Sequence, residues 1–306
     1  MDSTHEERLR RARISLEGLS VGDGLGGFFE FGKATTLKQY LGNQKLPPAP
    51  WRFTDDTNMA LSIYQNLRLY GEIKQDELAK SFAEHFDRTR GYGMGARALM
   101  NRMKKGEHWR AVSEAMYQGG SYGNGGAMRV APVGAYFADD VDKVVENARL
   151  SAEITHSHPE GIAGAIAVAV ATAYATRLLA SGERPTRAAF IDLILPHLPE
   201  SEIRTKTQIA RNIASPMGDV IRVLGNGSGV KAQDTVPFVL WSVGENLHDY
   251  EQAIWQTASA LGDVDTTCAM VGGIVAVYTG IEGIPAEWVS RREPLPEWAL
   301  GENDTL

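Results

Sequence analysis

Apolar residues return every three to four positions through most of the chain, the period of a helix with one face turned to a core. The spacing predicts helices over residues 58–69, 77–86, 141–152, 188–195, 207–224, 236–247 and 250–261. Several starts carry their own signals: Asp139 and Asp140 stand before Val141, Asp249 stands before Tyr250, and Pro159 opens an alanine-rich run. Period-two alternation is scarce. The expected fold is therefore all-α, a compact orthogonal bundle of many helices.

Two departures from the amphipathic pattern refine this picture. Residues 161–176, continued by 178–180 beyond Arg177, are uncharged and approach membrane-spanning length, but alanine dominates them and drives insertion poorly. They read as a buried helix whose small residues allow close packing. Glycine, in turn, gathers where the helical pattern stops: "GLSVGDGLGG" at 18–27, "GYGMG" at 91–95, "GGSYGNGG" at 119–126 and "GNGSG" at 225–229. Such stretches let a backbone approach a ligand and offer it N–H groups. "GDGLGG" has the spacing of a dinucleotide turn, but a helix-like segment precedes it and no acidic residue follows at 40–50. A close helix crossing explains these glycines better. Polar and glycine-rich stretches recur from residue 18 to residue 267 with helices between them, so one domain over 1–306 is expected.

The candidate chemistry begins in "RFTDDTNMALSI", residues 52–63. One Thr or Asp suffices to cap a helix, and an acid in the first turn gains about 0.3–1 kcal/mol from the helix dipole. Two adjacent carboxylates repel, and ask for a counter-ion or a proton. "GDVDTT" repeats the arrangement with Asp263, Asp265, Thr266 and Thr267 before another apolar run. With Asp55 and Asp56 this makes four carboxylates, which two divalent cations would neutralise. All donors are hard oxygens, so Mg²⁺ or Mn²⁺ fits better than Zn²⁺ or copper, and Ca²⁺ stays open without an EF-hand spacing.

Other residues extend the list. Glu30, between Phe28, Phe29 and Phe31, is read either as a partly desolvated acid with a raised pKa or as a surface residue beside an aromatic patch. Ser121, Tyr122, Gly123 and Asn124 would line a phosphate or ribose, although a plain turn uses the same residues. His156 and His158 read as surface or capping residues, and His156 equally as a substrate contact; metal binding by either is disfavoured. Cys268 reads as a small core residue.

Composition then narrows the classes. The 306 residues are 43% hydrophobic and 23% charged, which excludes a disordered chain. The formal charge of −7, without a Lys/Arg stripe, argues against nucleic acid as a partner. The lone cysteine rules out an intrachain disulfide, and the charged start "MDSTHEERLRRARIS" lacks the apolar core of a secretion signal. A cytoplasmic monomer with no membrane partner is expected.

Seven blocks in order, "VGDGLGGFFEF", "FTDDTNMAL", "RGYGMG", "SYGNGGAMRVAPVG", "THSHPEGIAGAIAVA", "LGNGSGVKAQDTVPFVLW" and "GDVDTTCAMVGGIVAVYTG", resemble the ADP-ribosylglycohydrolase family, which includes the dinitrogenase-reductase-activating glycohydrolase. The resemblance implies an all-α fold with two divalent cations, Mg²⁺ or Mn²⁺, in a cleft that holds ADP-ribose. It implies that Thr54, Asp55, Asp56, Asp263, Asp265 and Thr266 hold the metals, and that Glu30, Asp55 and Asp56 serve the chemistry. It further places Gly93, Gly95, Ser121, Tyr122, Gly123, Asn124, Met128 and His156 against ADP-ribose. The activity implied is metal-dependent cleavage of ADP-ribose from a serine or arginine side chain or from its polymer. "RGYGMG" and "SYGNGGAMRV" look like the branch acting on serine and polymer, and Gly91 stands where arginine-specific members tend to carry Asp. A non-catalytic ADP-ribose reader and a hydrolase of a small ADP-ribosyl metabolite are the alternatives.

Overall fold

The computed structural model describes residues 3–31, 40–213 and 216–301. Among them are sixteen α-helices. They are α1 (His5–Glu30), α2 (Asp55–Tyr70), α3 (Gln75–Glu84), α4 (Met94–Lys104), α5 (Trp109–Ala115), α6 (Ala131–Tyr136), α7 (Val141–Glu153) and α8 (Pro159–Ser181). The second half adds α9 (Arg187–Ile194), α10 (Glu202–Ala210), α11 (Met217–Leu224), α12 (Ala232–Asn246), α13 (Tyr250–Ser259), α14 (Val264–Thr279), α15 (Ala286–Arg291) and α16 (Glu297–Leu300). Only two isolated bridges, Trp51 with Arg292 and Gly123 with Lys231, pair extended backbone among the described residues. The fold is all-α.

The axis of the bundle is the crossing of α1 with α14. α1 opens on a capping box, in which Thr4 Oγ1 accepts the Glu7 N–H at 3.2 Å and Glu7 Oε2 accepts the Thr4 N–H at 2.7 Å. The glycine-rich stretch 18–27, expected where the helical pattern stops, is instead the interior of this helix. Gly18, Gly22 and Gly26 recur every fourth residue and so form one stripe. A Cβ on Gly26 would stand 2.6 Å from Val264 O, and one on Gly18 or Gly22 would run into the backbone of Gly272 or Cys268. Each glycine costs about 1 kcal/mol of helix propensity against alanine, offset by the near contact of two helices. Cys268 is a buried member of α14, as its sequence context implied.

α8, the alanine-rich helix, is buried over most of its length and packs on α6, α7, α12 and α14. His158 caps it, its Nδ1 accepting the Glu160 N–H at 3.1 Å. α12 continues through Pro237, which cannot donate to the Gln233 carbonyl; Lys206 Nζ supplies that carbonyl at 3.0 Å instead. The single helix expected over 207–224 is two, α10 and α11, divided before Pro216. Pro216 is the N-cap of α11, where a missing backbone N–H breaks no helical bond. α11 is kept in place by a small apolar cluster of Val220 and Leu224 with Ile191, Phe238 and Trp241.

Residues 51–53 lead into the site and are clamped by the end of the chain. Trp51 N–H donates to Arg291 O at 2.6 Å, Glu293 N–H to Trp51 O at 2.9 Å, and Phe53 N–H to Glu293 Oε1 at 2.9 Å. Arg90 pairs with Glu293 and donates to Phe53 O at 2.9 Å, its guanidinium lying over the Phe53 ring. The position of Thr54, next in the chain, is thus fixed from several sides.

Candidate active site

The crossing of α1 and α14 brings the start of α2 to the start of α14. Ligand oxygens of Asp23, Asp56 and Asp265 lie within 4.8 Å of one another, and so do those of Glu30, Asp263 and Asp265. Asp265 belongs to both groups, so the two acidic clusters of the sequence share one centre. Asp55 joins neither, and lies toward Gly91, where a Cβ would be 3.5 Å from its Oδ1.

Asp23, on α1, was not anticipated from sequence. Its carboxylate accepts the Thr54 N–H at 3.0 Å, the Thr54 hydroxyl at 2.8 Å, the Thr57 N–H at 3.0 Å and the Thr57 hydroxyl at 2.5 Å. It anchors the N-terminus of α2, where backbone N–H groups and the helix dipole favour an anion. Thr54 Oγ1 is also within 3.0 Å of Asp56 Oδ2. Its one proton can serve only one of the two acids. Thr266 Oγ1 reaches the same Asp56 oxygen at 3.5 Å, and Asp56 Oδ1 is buried with no partner.

The electrostatics follow from that shortage of donors. Burial pushes Asp23 up to about 6 against the hydrogen bonds from Thr57 and Thr54. Burial and the charge of Asp23 raise Asp55 to about 7. Asp56 is raised well above the usual carboxylate range by burial, then by Asp23 and Asp265; Asp265 is raised by burial, then by Asp263 and Asp23. Among the described residues, no Lys or Arg forms an ion pair with Asp23, Glu30, Asp55, Asp56, Asp263 or Asp265. Buried like charges without a counter-ion, hard oxygen donors and an orphaned Asp56 Oδ1 are what a divalent cation site requires. The donor set fits such ions.

Glu30 ends α1 at the surface, and its Oε2 accepts the Val264 N–H at 2.9 Å. Burial of its carboxyl and the charge of Asp263 raise its pKa, against that hydrogen bond. The neighbouring phenylalanines do not enclose it: Phe29 packs edge-on to Trp255, Phe28 to Tyr40, and Phe31 is exposed.

The glycine-rich loops border this centre. Asn124 Nδ2 donates to Asp263 Oδ2 at 2.6 Å and to Thr235 Oγ1 at 3.1 Å, so the side-chain nitrogen orients a carboxylate of the centre. Ser121 Oγ accepts the Gly123 N–H at 3.2 Å. Tyr122 is exposed, with its ring edge-on to His158 and Lys231 above it. His156 lies against Gly123 and Gly125, where a Cβ would come 3.1 Å from Nε2 and 2.8 Å from Cε1 respectively. Gly93 opens α4 with clear space beside it, and Gly95 leaves room for the Tyr117 hydroxyl. Met128, expected against phosphate and ribose, is instead buried in the apolar core.

The fold and this site define an all-helical protein in which three helix ends gather carboxylates beside a glycine-lined surface. A family model described as ADP-ribosylglycohydrolase matches residues 4–304. The ADP-ribosylhydrolase ARH3 of Gallus gallus is 31% identical, covering 94% of this chain and 90% of that protein; the human ARH3 is 28% identical over 92% and 88%. The ADP-ribosyl-[dinitrogen reductase] glycohydrolase of Rhodospirillum rubrum is 26% identical over 92% and 90%. A solved structure described as an ADP-ribosylglycohydrolase-related protein complex shares the fold with a TM-score of 0.62 at 22% identity, covering 94% of each chain. The chain belongs to the ADP-ribosylglycohydrolase family. It is a hydrolase of glycosyl bonds that acts on ADP-ribose linkages.

Proposed function

We propose that the protein removes ADP-ribose from a modified side chain, or shortens its polymer, by hydrolysis that depends on two divalent cations, Mg²⁺ or Mn²⁺. The observation that carries this reading is the meeting of Asp23, Asp56, Asp263, Asp265 and Glu30 with no basic partner among the described residues. Asp56, Asp263 and Asp265, with Asp55 and the hydroxyls of Thr54 and Thr266, would hold the ions, and Asp23 would orient the set from behind. When bound, such ions supply Lewis acidity toward ribose hydroxyls and toward water.

The remaining steps belong to the chain. Cleavage at the anomeric carbon builds positive charge on the ribose and needs a proton for the leaving oxygen. Glu30, at the edge of the centre with a raised pKa, gives that proton and then takes one from the incoming water. Asp55 lies beside Gly91 and Phe31, and would face the leaving group from there. No side chain at Gly91 offers a carboxylate to a guanidinium, which favours an oxygen-linked side chain over arginine. Gly93, Gly95, the Ser121–Asn124 loop and His156 take the diphosphate and distal ribose.

The test is a panel of serine-, arginine- and polymer-linked ADP-ribose substrates, each assayed with Mg²⁺, with Mn²⁺ and with chelator, for the wild type and Glu30→Gln. The serine linkage should be cleaved fastest and chelation should stop it. Glu30→Gln should keep ADP-ribose affinity and lose about 100-fold in rate, the lower range for a general acid. Full activity in chelator, or unchanged rate in the variant, would remove the metals or Glu30 from the chemistry.

A further inference from the structure

Among the described residues Arg129 forms no ion pair with a carboxylate. It is fully buried, its guanidinium lies 4.6 Å from the Phe82 ring centroid, and its Nε has no hydrogen-bond partner. Nη1 reaches Met59 Sδ at 3.6 Å, while Nη2 donates to Ser151 O and to Thr155 Oγ1, both at 2.9 Å. Enclosing a charge this way is costly, and stacking on one ring returns only part of the cost. Burial lowers its pKa to about 9, which still leaves it charged at neutral pH.

What the cation does is visible one bond further on. Thr155 Oγ1 is 2.7 Å from His156 Nδ1, and Arg129 Nη2 is the only other hydrogen-bond partner of the Thr155 hydroxyl among the described residues. A hydroxyl has one proton and two lone pairs. With one lone pair taken by Arg129 and no other acceptor for its proton among the described residues, the hydroxyl is satisfied when it donates to Nδ1, which then accepts and carries no proton of its own. The imidazole proton is placed on Nε2, the nitrogen that lies over Gly123. Burial and the Arg129 charge also push His156 down to about 3, so the ring stays neutral.

We infer that Arg129 is a positioning residue that, through the Thr155 hydroxyl, holds His156 as the Nε2–H tautomer and so presents a fixed neutral donor to an oxygen of the ADP-ribose diphosphate or ribose. The inference rests on the ligand contact assigned to His156 above. It explains why a cation is enclosed where a satisfied apolar side chain would pack at lower cost. A neutral donor suits the place, because a second full charge beside Arg129 would be repelled.

The test uses the full chain labelled with ¹⁵N-histidine, with the His156 signals assigned by their loss in His156→Gln. Multiple-bond ¹H–¹⁵N spectra at neutral pH should show an unprotonated Nδ1 and a protonated Nε2 at His156. Thr155→Val should mix the tautomers and weaken ADP-ribose about tenfold, the size of one hydrogen bond to a charged partner. Thr155→Ser should restore both the spectrum and the affinity, which a merely structural role for Thr155 would not require. An Nδ1–H signal in the wild type, or a Thr155→Val protein with wild-type spectrum and affinity, would overturn the inference. His156→Gln binding ADP-ribose as tightly as the wild type would instead strike the ligand contact, leaving the tautomer to the spectra.

Discussion

Glu17 and Asp23 lie less than two turns apart on α1, both buried, and their surroundings differ completely. Glu17 is closed off: Arg13 Nη2 and Arg292 Nη2 each approach one of its oxygens at 2.6 Å, and all three side chains are buried. Asp23 faces Asp56 and Asp265 and receives only neutral donors from Thr54 and Thr57. One helix thus carries a finished ion cluster and an unbalanced one. Burial of an acid is therefore no mark of function by itself; the missing counter-charge is. The first cluster ties Arg292 to α1, and the second could hold a metal ion.

Substitution should separate the two clusters by sign. In metal-free protein, Glu17→Gln removes the carboxylate that pairs with two buried arginines and should cost about 3 kcal/mol of stability in urea unfolding, with little change in divalent-cation affinity. Asp56→Asn removes one of several repelling charges and should raise stability by about 1 kcal/mol while weakening cation binding. Equal losses in both variants would erase the distinction between the clusters.

A smaller effect should appear with pH. Asp23 at about 6 and Asp55 at about 7 lie above the unfolded value near 4, so the folded state holds more protons than the unfolded one between those limits. Stability of the metal-free protein should therefore fall as pH rises from about 4 to about 7. Saturating Mn²⁺ should reverse the slope, since ions bind the deprotonated carboxylates. Melting temperatures at pH 5 and pH 8, with chelator and with Mn²⁺, measure this directly; parallel slopes would speak against the carboxylates as the ion site.

The sequence made the acids at 55, 56, 263 and 265 conspicuous because doubled carboxylates exceed what a helix cap needs. It left Asp23 unnoticed, since the glycines around it drew attention to backbone. Its signal was nonetheless present: between Leu19 and Phe29 it is the only charged residue, in a stretch that could also be read as one helical turn after another. Asn124 was read as a lining residue from its place among glycines and Met128 from the family resemblance; packing buries Met128 in the core, and the Asn124 amide donates to Asp263. Arg129 gave no sign at all, because an arginine's lack of an acidic partner is a property of the folded surroundings. The all-helical architecture was legible from periodicity; the division of 207–224 needed more weight on Pro216.

Titration of metal-free protein with Mn²⁺ at pH 7.5, followed by electron paramagnetic resonance of the free ion, bears most directly on the central claim. Two saturable equivalents should bind to the wild type, and Asp265→Asn, which alters the residue shared by both carboxylate groups, should lose them while keeping its circular dichroism spectrum. A wild-type protein that takes up no saturable Mn²⁺, or an Asp265→Asn variant that binds as the wild type does, would contradict it.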